Sequence, residues 1–186
     1  MIAVELHKTL VNQKKPTAVA LGFFDGVHLG HQKILSKTVE YLKFGVKPCV
    51  FTFFQNPRSV IEVQKIEYLT TPDEKVEAME KLGIKAVYML DFNIIKDVTP
   101  EDFVFQVLKK TLNAKFVVCG FNYHFGSGGN ANADDLKSLC SQCGIQVYVQ
   151  PPVYYDGKVI SSSRIRKAFK ECDGEIAMKM LGSDKI

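Results

Sequence analysis

Short continuous apolar runs recur along this chain, separated by stretches whose apolar positions fall at helical spacing. Thr17 to Gly22 is an apolar run closed by a turn residue, which predicts a buried strand. Within His31 to Lys43, the residues Ile34, Leu35, Val39 and Leu42 repeat at helical spacing. Pro48 to Phe53, Ala86 to Leu90, Phe116 to Gly120 and Ile145 to Val149 are the further predicted strands. Thr71-Pro72-Asp73-Glu74 opens a helix: the threonine can cap, the proline suits the first helical position, and the glutamate can close a capping box. Gly83 stops that helix, and Thr99-Pro100-Glu101-Asp102 opens another in a similar way. Asp134 to Cys143, Ser162 to Phe169 and Glu175 to Leu181 are the remaining helices, and Asp156-Gly157 marks a short hairpin within Val153 to Ile160. The strands are continuous apolar runs, and they alternate with helices. That pattern predicts an α/β fold: a parallel sheet of about five strands, helices on both faces, and a small hairpin. Ligands of such sheets bind at the carboxyl ends of the strands, where the loops after Leu21 and after Cys119 fall.

Composition narrows the class. A chain of 186 residues with 46% hydrophobic content suits one domain with a real core, read as residues 1–186. Charged residues make up 24%, which argues against disorder. The formal charge of +4 is a mild excess. It suits anionic small molecules, and no basic run interleaved with aromatics points to nucleic acid. The amino terminus lacks a basic, then apolar, signal pattern, and no run approaches the ~20 apolar residues of a membrane span. The expectation is a cytoplasmic protein whose five cysteines stay reduced. Cys140-Ser141-Gln142-Cys143 sits near a helix C-terminus, where a thiolate gains no stabilisation, so it reads as structural.

The first candidate chemistry is Gly22-Phe23-Phe24-Asp25-Gly26-Val27-His28-Leu29-Gly30-His31, which leaves a strand and enters a helix. Free N–H groups and the positive end of the helix dipole attract an anion there, and Gly30 lets a phosphate approach the backbone. His28 and His31 can donate hydrogen bonds to the non-bridging oxygens of a phosphate, where charge grows during in-line transfer. The alternatives are two separately explained histidines in a glycine-rich turn, or a zinc site, for which no further ligand pair is evident. The second is Ile160-Ser161-Ser162-Ser163-Arg164-Ile165-Arg166. Three hydroxyls at the start of a basic helix can hold phosphates, and Arg166 can neutralise a leaving group. The plain alternative is N-capping by Ser162 or Ser163.

The run Gly-Phe-Phe-Asp-Gly-Val-His-Leu-Gly-His-Gln resembles the signature of bacterial FAD synthetases, the FMN adenylyltransferase modules of bifunctional riboflavin kinase/FMN adenylyltransferases. The HxGH element alone indicates the nucleotidyltransferase superfamily, and the Phe-Asp-Gly-Val-His lead-in indicates the flavin branch. Phe24 stands where the family usually has Asn. Ile160 to Arg166 is similar to the superfamily motif ISSTxIR, with Ser163 for Thr, roughly 130 residues downstream. Phe51-Thr52-Phe53-Phe54-Gln55-Asn56-Pro57 resembles the family's TFDPHP loop, with Phe54, Gln55 and Asn56 replacing Asp, Pro and His. Gly120-Phe121-Asn122-Tyr123-His124-Phe125-Gly126 resembles its GxNFxFG loop, with His124 where Arg is common. Leu69 to Lys75 resembles its LTxxxEK segment, read as a capped helix start and no more.

The resemblance implies a Rossmann-like domain of the HxGH type that converts ATP and FMN to FAD and pyrophosphate. It implies His28, His31 and Arg166 as catalytic residues. Gly22, Phe23, Phe24, Asp25, Gly30, Ser162, Ser163 and Arg166 would form the ATP side, and Phe54, Asn56, Asn122, His124 and Phe125 the flavin side. Asp25 would organise its loop rather than do chemistry. Mg²⁺ is expected on the substrate phosphates. A riboflavin kinase barrel would follow where this sequence stops, so no kinase activity is expected of these residues. The rivals are a related transferase acting on nicotinamide mononucleotide or phosphopantetheine, and a non-catalytic flavin nucleotide binder.

Overall fold

The apolar runs become neighbouring strands because each is hydrophobic on both sides and must be covered on both. The computed structural model describes residues 3–6, 12–61 and 67–182. Its strands are β1 (Ala3–Leu6), β2 (Thr17–Leu21), β3 (Lys47–Phe53), β4 (Ala86–Leu90), β5 (Ala114–Gly120) and β6 (Gln146–Gln150). They form one sheet in the order β1-β4-β3-β2-β5-β6, every pair parallel. The sheet therefore has one strand more than the apolar runs predicted. The addition, β1, is only four residues long and includes Glu5, so it carries no apolar run to read.

The helices are α1 (Leu29–Glu40), α2 (Pro57–Ile61), α3 (Pro72–Lys81), α4 (Pro100–Asp102), α5 (Ala133–Gln142), α6 (Ser162–Lys170) and α7 (Gly174–Leu181). Thr71 and Glu74 form the expected capping box on α3. After α4 the chain continues as a π-helix over Phe103–Thr111. The hairpin pairs β7 (Tyr154–Tyr155) with β8 (Lys158–Val159). Asp156 and Gly157 between them both take positive φ, 50° and 68°, as a primed turn requires.

Alternate residues of each strand face opposite layers. Val19, Leu21, Phe51, Tyr88 and Val117 pack against Phe103, Leu108 and Leu136 of the π-helix and α5. Ala20, Val50, Val87 and Val118 pack against Ile34, Leu35 and Met79 of α1 and α3. A third cluster, Ile165, Ala168, Ala177 and Met180, joins α6 to α7. The chain runs from β2 outward through β3 to β4, then returns to the other flank of β2 as β5. This reversal opens a crevice between the loops that follow β2 and β5, the position where such sheets bind ligands.

Candidate functional site

The loop between β2 and α1 holds a costly backbone. Phe24 and Val27 both lie in the left-handed region, at φ 60° and 38°. Neither a bulky nor a β-branched residue favours that region, and each such residue costs on the order of 1–3 kcal/mol. Contacts from several other elements compensate. The Phe23 carbonyl accepts from Thr52 Oγ1 (3.1 Å) and Lys75 Nζ (3.2 Å). The Asp25 carbonyl accepts from Ser162 Oγ (2.9 Å), and the Val27 carbonyl from Gln32 Nε2 (3.0 Å). The Asp25 carboxylate accepts from the backbone N–H groups of Leu69 (2.9 Å) and Thr70 (3.4 Å), and from Arg166 Nη1 (2.7 Å). The Phe24 ring is buried and meets the His31 ring edge-on at 5.2 Å.

His28 is the N-cap of α1: its Nδ1 accepts from the His31 N–H at 3.3 Å. That bond leaves Nε2 to carry the proton of the neutral ring. The two imidazoles stack with centroids 3.6 Å apart and planes 15° from parallel. Burial pushes the His28 pKa down to about 4. Burial, then the charges of His28 and Lys75, hold His31 well below the usual histidine range. Both rings are therefore neutral N–H donors near pH 7. Gly30 makes the stack possible, since a Cβ there would stand 3.1 Å from His28 Cε1.

At the other mouth, Ser161 caps α6 by accepting from the Arg164 N–H (3.2 Å). The sequence alternative of a cap at Ser162 or Ser163 is thereby corrected, because the helix already starts at Ser162, earlier than either of those caps requires. Ser162 and Ser163 are left for other work. Ser163 Oγ accepts from Arg166 Nη2 at 3.3 Å. Arg166 thus spans Ser163 and Asp25. Burial raises the Asp25 pKa against the opposing pull of Leu69, Arg166, Thr70 and Lys75. A short ion pair and a raised acid pKa point in opposite directions. Burial is the largest influence, so the pair fixes geometry more than it adds stability.

Both mouths open into one cleft of about 940 Å³. Phe23, Phe24, Asp25, His28, Gly30, His31, Ser162, Ser163 and Arg166 all line it. A second, more apolar cavity of about 380 Å³ adjoins it, lined by Gly22, Phe53, Phe92, Phe103, His124 and Phe125 among others. Phe23, His31, Asn56, Arg58 and Asn122 line both and form the wall between them. Phe54 lines neither. It stands exposed beyond the end of β3 with its N–H on the Leu90 carbonyl, and Phe53 supplies the ring at the cavity instead. Pleating explains the exchange, since successive side chains alternate in direction. His124 Nδ1 lies 3.1 Å from the Asn122 carbonyl.

Lys75 is the residue that motif reasoning missed. It is buried at 4% exposure, and its ammonium reaches the strand ends rather than solvent. A signal existed: Lys75 lies four residues before Met79, on the inward stripe of α3. Among the described residues, no group of three or more His, Cys, Asp or Glu could hold a metal ion. Cys140 is buried, and that burial pushes its thiol up to about 12. No helix among the described residues is long and apolar enough to cross a membrane.

Comparison with known proteins follows the same lines. A family model described as FAD synthetase matches residues 10–164. A bifunctional riboflavin kinase/FMN adenylyltransferase of Listeria monocytogenes is 34% identical over 168 residues, 88% of this chain and 53% of that protein. One from Buchnera aphidicola is 34% identical over 193 residues, 96% of this chain and 60% of that one. A protein named FAD synthetase from Listeria monocytogenes is 31% identical over 181 residues, 95% of this chain and 73% of its own length. The crystal structure of a chain described as a macrolide-efflux protein from Streptococcus pneumoniae aligns at TM-score 0.87 and 30% identity, over 98% of this chain and 62% of that one. The chain spans between 53% and 60% of the two bifunctional relatives. With most of its length matched by the family model and its two motifs, at the starts of α1 and α6, meeting in one cleft, the chain belongs to the FAD synthetase family.

Proposed function

We propose that this chain transfers the adenylyl group of ATP to FMN, giving FAD and pyrophosphate. The supporting observation is the adjacency of a polar cleft bearing both helix mouths to an apolar cavity of a size for a flat ring, with His31 and Asn122 on their common wall. An FMN phosphate oxygen attacks the α-phosphorus in line. The new P–O bond forms as the bond to the bridging oxygen of the β-phosphate breaks, and pyrophosphate departs. The phosphate oxygen is already anionic at pH 7, so no protein base is needed. His28 and His31 act as neutral donors to the α-phosphate oxygens and stabilise the charge that grows there. Ser162, Ser163 and Arg166 hold the β- and γ-phosphates and then the pyrophosphate. Asp25 contributes by holding Arg166 (2.7 Å) rather than by reacting. Asn56, Asn122, His124 and Phe125 bound the acceptor side.

Magnesium belongs to the substrate, entering on the phosphates of ATP. Among the described residues, Asp25 is the buried carboxylate at the cleft, and it is committed to Arg166 and two backbone N–H groups, so no protein ligand set is assigned to the metal. The reading is of a cytoplasmic enzyme whose partners are the small molecules ATP and FMN. The test is pyrophosphate release from ATP, with FMN, nicotinamide mononucleotide and phosphopantetheine supplied in parallel. FMN alone should support release, with FAD appearing on chromatography. Release with another acceptor alone would reassign the substrate, and FMN binding without release would make the chain a binder.

A further inference from the structure

Capping already accounts for the start of α3, since Thr71 and Glu74 satisfy it between them. It does not account for Lys75, a buried ammonium in the interior of the fold. Burying a cation is unfavourable unless its donors are used. Here Nζ donates to the carbonyls of Phe23 and Phe53, each at 3.2 Å, and stands 4.3 Å from the centre of the Phe23 ring. Phe53 closes β3 and Phe23 follows β2, the strand beside it. One side chain from α3 therefore ties together the carboxyl ends of two neighbouring strands. Phe23 in turn lines both cavities.

We propose that Lys75 is a positioning residue for adenylyl transfer: by clamping the Phe23 and Phe53 carbonyls it fixes the wall shared by the two cavities, so that donor and acceptor phosphates meet in line. This rests on the function proposed above. The charge matters because its three partners are two carbonyls and an aromatic face, which favour an ammonium and gain nothing from a neutral chain of equal length. Misplacing the reacting groups by about 1 Å costs ~10²-fold in rate while leaving the triphosphate contacts of the histidines, serines and Arg166 in place. The charged and titratable groups facing Lys75 are Asp25, from the loop before α1, and His31, from α1. Burial lowers its pKa to about 8, against the pull of Asp25.

The experiment compares wild type, Lys75→Met and Lys75→Arg in the full chain, by steady-state kinetics against pH, thermal melting and hydrogen exchange of the loop before α1. Lys75→Met should lower kcat by ~30–100-fold with KM for ATP within ~3-fold. It should also speed exchange at residues 22–28 without loss of protection in β3 and β4. Lys75→Arg should recover most of the rate. In wild type, kcat/KM for ATP should fall above a pKa near 8. In Lys75→Arg that alkaline limb should vanish, because guanidinium does not titrate there. Equal kcat in wild type and Lys75→Met, or an unchanged limb in Lys75→Arg, overturns the proposal. If Lys75→Met does not melt cooperatively, the pH profile of Lys75→Arg decides alone. A wild type that makes no FAD sinks the function instead, and loop exchange then judges Lys75: unchanged exchange in Lys75→Met overturns its role.

Discussion

Acidification should unfold this protein through His28 by a calculable amount. The buried ring titrates near 4 in the folded chain and at 6.5 once unfolded. At pH 7.5 both forms are neutral and the ring does not bias folding. As the pH falls through 6.5, the unfolded chain binds a proton that the folded chain refuses, so stability is lost progressively until the pH reaches the folded value near 4. At pH 5 the unfolded ring is almost wholly protonated and the folded one almost wholly neutral, which amounts to a loss of about 2 kcal/mol. Since pH 5 lies above the folded pKa, the figure is governed chiefly by the unfolded one. His31, also lowered, adds in the same direction. Asp25, raised, acts oppositely, because its folded carboxyl protonates before its unfolded one. His28→Asn isolates the effect: asparagine keeps a capping acceptor for α1 and cannot titrate. Urea unfolding of both proteins at pH 7.5, 6.5, 5.5 and 5 is the assay. Between the extremes, wild type should lose about 2 kcal/mol more than the variant. Parallel losses, agreeing within ~0.5 kcal/mol, would show that the fold does not hold His28 neutral. The same ring should take up a proton when ATP binds near pH 5, because the phosphates favour its charged form.

Three further outcomes are expected. His31→Ala should lower FAD formation by ~10²-fold or more with a melting temperature within a few degrees of wild type, as befits loss of a transition-state donor. Unchanged turnover would refute its role. Gly30→Ala should leave stability equal or higher, since alanine gains up to ~1 kcal/mol in a helix. The new Cβ, 3.1 Å from His28 Cε1, should displace that ring and cost about tenfold in turnover; full activity would show that the stack is dispensable. In native protein at pH 8, iodoacetamide should label exposed Cys172 and spare buried Cys140, whose thiol is pushed up to about 12. Peptide mapping that finds Cys140 labelled would contradict that burial.

Much of the architecture was legible because it is local. Thr71 and Glu74 announce α3, Asp156-Gly157 announces the hairpin, and each central strand is an unbroken apolar run. The HxGH spacing likewise places both imidazoles at the start of α1 without knowledge of any other element. The edge strand β1 left no such mark, because its pairing with β4 is a backbone matter between segments distant in the chain. Phe54 and Phe53 exchanged places at the cavity because the end of β3, not residue type, decides which ring turns inward. The sequence by itself determined the residue types, most of the elements and the two motifs that open α1 and α6. Only the tertiary structure decided what each side chain is asked to do: Arg166 held by Asp25 across 141 residues, Ser161 rather than its neighbours capping α6, and Lys75 drawn inward to the strand ends. Burial and charge pairing depend on which surfaces the fold brings together, and no local pattern encodes that.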